Sequence, residues 1–372
     1  MKKFFVLLSV LLLAGFAGSS FAQLSLSGDL QVRGRDDIKD YGDYGTEATG
    51  MHSNDFYYML RAGINVNADI GDGFFGKVRL EHYNYAGYIY TAGSGMDAPG
   101  LAPTIAGSND IIARPTVNFT QLYLGVNRDN WGIEAGIFPI SGLANPILDI
   151  HYLPYKMIDI PFTLYRLNTL VGVSGYFKAG PGKINYFISN DFNGNDAEDV
   201  NGVDLMHNND AYTIGADYDF KLSDFGIQPI VLFSIASDSV MAPVSYGINL
   251  STPVFSGFNF GFDAALSNQS VDGTAKYDAQ LFRIIAGYKP GFGSIEAWFD
   301  IAKRTDKAFT TGGMDVDHNF TYLWLLYKIP VYNSDHGALT IIPRVRRITE
   351  KVDNAVDFQR FKIELLFAMS FK

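Results

Sequence analysis

The chain lacks three things that narrow what it can be. It has no cysteine, so disulfide bonds do not support its fold. It has no apolar run of the ~20 residues that a membrane-spanning helix needs, which excludes a bundle of such helices. Its 29 basic residues are outnumbered by 39 acidic ones, which argues against a nucleic-acid partner. Aromatic residues make up 15% of the 372 residues, too many for a disordered chain.

The first 22 residues have the pattern of an export signal. Lys2 and Lys3 precede an apolar run over 4–16, and Ser20-Phe21-Ala22 offers small residues at a cleavage site before Gln23. We therefore expect a signal peptide over 1–22 and one domain over 23–372. Without Lys2 and Lys3 the chain has 27 basic and 39 acidic residues, a net charge of −12.

From Gln23 onward, apolar residues recur at every second position, the period of a β-strand. Leu24, Leu26, Leu30 and Val32 alternate with polar residues in this way. The pattern predicts about sixteen strands, with fourteen or eighteen left open. Their predicted spans are 24–35, 54–70, 74–85, 117–127, 131–138, 168–179, 183–191, 211–222, 226–237, 244–250, 257–267, 279–288, 294–304, 319–329, 338–348 and 356–371. A soluble sandwich also alternates, so the connections must decide between the two architectures.

The connections alternate between short and long along the chain. Gly71-Asp72-Gly73 and Gly180-Pro181-Gly182 are typical short ones, and Phe74, Trp131, Phe225, Phe258 and Phe292 border the short turns. The long, polar connections cover roughly 36–54, 86–116, 139–166, 192–210, 268–277 and 305–318. Tight turns at one end, long loops at the other and an aromatic girdle are typical of a transmembrane barrel. The predicted fold class is therefore all-β, a transmembrane antiparallel β-barrel of about sixteen strands.

This pattern resembles the general porins of Gram-negative outer membranes. The C-terminal strand carries apolar residues at every second position up to Phe371, like the assembly signal of that family, although Lys372 follows. The long connection over 139–166 follows predicted strand 5, where porins place a constriction loop that folds into the barrel. The alternative is an extracellular loop in a trimer contact or a lid.

The resemblance implies an outer-membrane location, contacts with membrane lipid and lipopolysaccharide, and a homotrimer. It also implies delivery to the barrel-assembly machinery through the strand that ends at Phe371. The function it implies is a water-filled channel for passive diffusion of small hydrophilic solutes and ions.

If the apolar phase of each strand faces lipid, the other phase lines the lumen. The first two and last two predicted strands, together with the third, then form one basic wall. Its pore-lining residues are predicted to be Arg33, Arg35, Arg61, Lys77, Arg79, Arg344, Arg346 and Arg360. The acidic groups expected across the lumen are Asp149 and Asp159 on the loop and Asp217, Asp263, Glu296 and Asp300 on strands. Opposed charges of this kind set the ion preference of pores.

The sequence contains no recognisable catalytic or metal-binding motif. His151 and His318 lie near acidic residues but have no evident partner, and they are interpreted as solvated loop histidines. We therefore expect no enzymatic activity, no catalytic residue, no metal and no cofactor. Two alternatives stay open. One is a channel specific for a sugar or an anion, with Tyr83, Tyr85 and Trp298 as a sliding track. The other is an outer-membrane enzyme or adhesin with a closed lumen.

Overall fold

The computed structural model describes residues 23–40, 52–86, 117–140, 145–152, 169–192, 211–236, 242–271, 274–307, 315–352 and 357–372. The expected signal peptide over 1–22 and Asp159 lie outside these residues. Within the described part of the chain, no helix is long and apolar enough to cross a membrane.

Sixteen antiparallel strands form a closed barrel in which each strand pairs with its neighbours in sequence and β1 pairs with β16. The strands are β1 (Gln23–Asp40), β2 (His52–Gly71), β3 (Phe74–Ala86), β4 (Asn118–Asn127), β5 (Trp131–Pro139), β6 (Thr169–Ala179), β7 (Gly182–Phe192), β8 (Ala211–Leu222), β9 (Phe225–Ala236), β10 (Val244–Ser251), β11 (Phe258–Val271), β12 (Thr274–Tyr288), β13 (Ser294–Asp306), β14 (Val316–Ser334), β15 (Gly337–Val352) and β16 (Phe358–Phe371). One short helix, α1 (Asn145–Tyr152), follows β5. The predicted fold class and the count of sixteen strands are confirmed.

The barrel inverts the usual order of burial. In β16 the charged residues Arg360, Lys362 and Glu364 are 7%, 2% and 2% exposed, whereas the alternating Ile363 and Leu365 are 47% and 43% exposed. A barrel in water would bury the apolar phase, so an exposed apolar phase indicates that lipid surrounds it. The phase with the buried charges is called the inner face below.

The short turns gather at one end of the barrel. Phe74, Trp131, Phe225, Phe258 and Phe292 all lie there with half-exposed side chains. The short turn between β2 and β3 passes through the left-handed region of the backbone, with φ of 95° at Gly71 and 74° at Gly73. Glycine is favoured at such angles because it has no Cβ to clash.

One predicted loop is wrong. Residues 268–277 are mostly strand, because β11 and β12 both extend into this segment and pair with each other as far as Val271 and Thr274. The pairing passes a register shift between Gln269 and Ser270. The connection between these two strands therefore shrinks to 272–273.

Candidate functional site

Helix α1 lies inside the barrel. Its residues Ile147, Leu148 and Ile150 are fully buried, and the helix contacts β10, β11 and β12. The amide Nε2 of Gln269, an inner-face residue of β11, donates to the main-chain carbonyls of Ile150 and His151 at 3.2 and 3.1 Å. These bonds satisfy two carbonyls at the end of the helix that have no partner within it. The expectation that this connection folds into the barrel is confirmed for 145–152, and most of the rest of 139–166 lies outside the described residues.

The side chain of His151 is held by three hydroxyl groups of the barrel wall. Its Nδ1 lies 2.8 Å from Ser245 Oγ, and its Nε2 lies 3.0 Å from Ser234 Oγ and 3.4 Å from Thr213 Oγ1. Burial lowers the pKa of His151 to about 3, so the imidazole is neutral at neutral pH. The interpretation of His151 as a solvated histidine is wrong, because its hydroxyl partners come from three strands distant in sequence.

His318 is not a solvated loop residue either. It lies within β14, where Nδ1 is 2.8 Å from Glu350 Oε1 and Nε2 is 3.2 Å from Asp306 Oδ2. The predicted strand 14 began one residue too late to include it.

The five strands of the predicted basic wall are contiguous, in the order β15, β16, β1, β2 and β3. Near its middle, Glu364 Oε1 accepts from Arg35 Nε at 2.6 Å and from Arg346 Nη2 at 2.7 Å, and it lies 3.6 Å from Arg33 Nη1. Arg344 is directly opposite Glu364 on β15. One carboxylate thus lies among four guanidinium groups.

Nearby, Arg360 forms a two-point ion pair with Asp37 at 2.8 and 2.6 Å.

A second cluster in the wall neutralises more of its charge. Arg79 donates to Asp29 at 2.6 Å and to Glu81 at 3.0 Å, and Arg61 binds both oxygens of Glu81 at 2.9 Å. Lys77 is exposed, with its ammonium 5.8 Å from the centres of two neighbouring aromatic rings. The predicted basic residues are therefore together, but Arg61 and Arg79 are paired with acids.

The predicted acidic residues are less uniform. Asp300 is fully buried in a two-point ion pair with Arg283, with both bonds at 2.8 Å. Glu296 binds Lys328 at 3.3 Å. Both acids lie on β13, which is separated from β15 only by β14, so the expectation that they face the basic wall across the lumen is wrong for them. A strand count alone would have shown this.

The remaining described acids are on the other side of the ring from β1. Asp217 on β8 accepts from Asn185 at 2.7 Å and Gln228 at 2.9 Å, and Asp263 on β11 accepts from Asn249. Asp149 on α1 is fully buried close enough to Arg283 to interact electrostatically. Asp217 and Asp263 therefore accept hydrogen bonds from amide side chains, whereas Asp149 lies near one arginine.

Three arginines and two tryptophans form an arginine–tryptophan ladder that the sequence pattern did not predict. The rings of Trp298 and Trp324 meet edge to face at 4.4 Å between centroids. Arg283 lies over Trp298 at 4.7 Å, and Arg346 and Arg344 lie over Trp324 at 5.3 and 5.6 Å. Trp324 could not be assigned to the inner face from the sequence. The strand β14 is apolar in both phases here, so alternation does not show which of its residues point inward.

Neither a protein-family model nor a curated protein sequence matches the chain. Solved structures do. An anion-selective porin from Comamonas acidovorans has a TM-score of 0.57 at 12% identity, covering 93% of this chain and 99% of that one. Salmonella typhi OmpF in complex with daunomycin has a TM-score of 0.57 at 12% identity, with coverage of 94% and 98%. The outer membrane channel DcaP of Acinetobacter baumannii has a TM-score of 0.56 at 15% identity, with coverage of 96% and 99%. The chain therefore shares its barrel fold with outer-membrane porins and channels.

Proposed function

We propose that this chain is an outer-membrane porin, a water-filled channel through which small hydrophilic solutes and ions diffuse passively. The observation that carries the proposal is the inverted burial of a closed sixteen-stranded barrel, with charged residues inside and apolar residues outside. Barrels of this strand number have room for an aqueous channel. Helix α1 would narrow that channel from one side.

The proposed lumen wall is basic on one side. Its basic lining residues are Arg33, Arg35, Arg61, Lys77, Arg79, Arg344, Arg346 and Arg360, and its acidic ones are Asp149, Asp159, Asp217, Asp263, Glu296 and Asp300. Because Arg61, Arg79 and Arg360 are paired with acids, the largest group of arginines that share one acid lies around Glu364. We infer a preference for anions. Several kinds of pore select ions through rings of fixed charge.

The same proposal includes location and assembly. The chain would be exported by residues 1–22, inserted by the barrel-assembly machinery, surrounded by lipid and lipopolysaccharide, and assembled as a homotrimer. In support of a role for the C-terminus, Phe371 pairs with Gly28 and its ring occupies the space that a side chain at Gly28 would fill. The glycine thus accommodates the terminal aromatic ring at the seam where the barrel closes.

Planar-bilayer conductance of the refolded chain from Gln23 tests the function. Stable, ohmic current steps are expected, and a trimer should close in thirds. Under a salt gradient, the sign of the reversal potential should indicate a preference for anions. If barrels that are verified as folded insert without conducting, the porin proposal fails. The closed-lumen enzyme or adhesin is then the function to pursue.

A channel specific for one class of solute is the second candidate, and the arginine–tryptophan ladder favours it. A diffusion pore needs water and charge in its lumen but no aligned indole rings. Saturable transport of one solute would support this version.

A further inference from the structure

The inner face of β15, β16 and β1 carries more positive charge than its own acids compensate. Arg33, Arg35, Arg344 and Arg346 all interact electrostatically with Glu364, so one carboxylate lies among four guanidinium groups. In a buried wall such an excess is costly without a counter-charge. An anion in the lumen would lower this cost.

The same cluster contains hydrogen-bond donors that nothing among the described residues uses. Nε of Arg344, Nε of Arg346, and the indole Nε1 of Trp298 and of Trp324 are all buried atoms with no hydrogen-bond partner. Trp324 and Arg346 are 3% and 2% exposed. An indole N–H and a guanidinium N–H can donate but cannot accept. The unmet requirement is therefore for acceptor oxygens, several of them and close together.

The cluster also contains an unmet carboxylate acceptor. Glu364 Oε1 receives the arginine bonds, whereas Glu364 Oε2 is buried with no hydrogen-bond partner among the described residues. A ligand that fits both requirements has several acceptor oxygens, a negative charge and one proton to donate. The tryptophan rings themselves face guanidinium groups, so they offer the ligand their N–H edges more than their faces.

We propose that this cluster is a binding site for a protonated oxyanion, of which hydrogen phosphate is the simplest. The oxygens of the anion would accept from Trp298, Trp324, Arg344 and Arg346, and its hydroxyl group would donate to Glu364 Oε2. Sulfate has the same tetrahedral shape but no proton at neutral pH, so it would place an oxygen against the Glu364 carboxylate. The inference rests on the proposed function, because the anion reaches the site through the open lumen.

The first test measures current through the channel. Phosphate added to a chloride salt at constant ionic strength is expected to block the chloride current in a saturable way, and sulfate is expected to block it more weakly. In Arg344→Gln the half-blocking concentration of phosphate should rise at least ~10-fold, about 1.4 kcal/mol of binding free energy. Arg344 suits the test because its guanidinium lies over Trp324 beside the carboxylate already bound by Arg35 and Arg346.

A matched control removes one positive charge elsewhere on the wall. Lys77→Gln on β3 takes an exposed cation from the same side of the barrel but leaves the Glu364 cluster intact. Its half-blocking concentration should change by less than ~2-fold if the site is specific. Equal effects of the two substitutions would overturn the proposal and indicate general screening by charge. Equal block by phosphate and sulfate would also overturn it.

The second test does not depend on conduction. Two of the chain's three tryptophans, Trp298 and Trp324, lie in the site, and the third, Trp131, faces outward. In a folded Trp131→Phe background, phosphate should shift the emission of the two remaining tryptophans saturably, and Arg344→Gln should abolish the shift. A shift without any channel current would refute the proposed pore but keep the site. Current without a saturable shift would keep the pore and refute the site.

Discussion

The guanidinium of Arg79 lies across the backbone of Gly63, in the space that any side chain at position 63 would occupy. From there it reaches past β2 to Asp29 on β1, with Nη2 at 2.6 Å from Oδ1. The absence of a Cβ at Gly63 thus allows an ion pair between two strands that are not neighbours. The basic wall is joined across three strands through this residue.

Gly63→Ala should therefore break the Arg79–Asp29 ion pair. The added methyl group displaces the guanidinium, and we expect a loss of about 1–3 kcal/mol in the free energy of unfolding, as is usual for a disrupted buried network. Urea titration of the barrel in detergent measures it. Gly76→Ala on β3 is the control, because a Cβ there meets nothing within 4 Å. Equal stability of the two variants would contradict the role given to Gly63.

His151→Ala should loosen helix α1 without unfolding the barrel. The substitution removes the ring that contacts Ser234, Ser245 and Thr213, while Ile147 and Leu148 stay buried. We expect a larger or noisier single-channel current, because the helix no longer holds one position in the lumen. His336→Ala, at an exposed short turn, should leave the current unchanged. If the His151→Ala channel has the current and the noise of the wild type, the apolar contacts alone hold the helix in place.

Acid should weaken the same attachment. The pKa of His151 falls from its ordinary 6.5 to about 3 in the docked helix, so the released helix binds the proton more readily. The contribution of His151 to the attachment of helix α1 is therefore fully present above pH 6.5 and is lost as the pH falls toward 3. The facing groups are the three hydroxyls, Gln269 and Tyr152, with Asp191 behind Thr213.

Current noise recorded between pH 7 and 4 tests this dependence, with pH values chosen around the ordinary histidine pKa of about 6.5. Noise should grow as the pH falls in the wild type and stay constant in His151→Ala. A parallel increase in both would assign the effect to another group.

Arg283→Met should be among the most destabilising changes in the wall. It leaves the fully buried carboxylate of Asp300 without its two-point partner, and such a loss costs about 3–5 kcal/mol. Adding Asp300→Leu should restore much of the stability, because both charges are then gone. Unfolding in urea compares the three chains. A double variant as unstable as the single one would show that packing, and not the ion pair, is responsible.

Arg61→Ala together with Arg79→Ala should shift the ion preference of the channel toward cations. The double change removes two positive charges and leaves Asp29 and Glu81 without their partners. Reversal potential under a salt gradient measures the shift. An unchanged potential would place the charge that selects ions elsewhere, with the Glu364 cluster as the first place to look.

Much of the fold could be predicted because lipid makes one phase of every strand apolar. The alternation of Leu24, Leu26, Leu30 and Val32 is enough to locate β1 and its outward face. Strand ends were less predictable. β1 continues to Asp40 and β14 to Ser334, because main-chain pairing continues beyond the apolar band into residues with no alternating pattern.

The candidate site was less predictable than the fold. Alternation assigns Arg35 and Arg346 to the inner face, but it cannot show that both bind Glu364. Such contacts depend on the register between strands far apart in sequence. Trp324 and His151 show the same limit, since their partners are set by the closed barrel and not by neighbouring residues.

The pairing of β1 with β16 also constrains how the molecule is made. Gly28, near the start of the described chain, is opposite Phe371, at its end. The first strand therefore has an open edge until the last one has been synthesised, and an open edge invites pairing with other chains. Closure of the barrel must therefore follow the synthesis of β16, so the edges of β1 and β16 cannot protect each other before the chain has been made as far as Phe371.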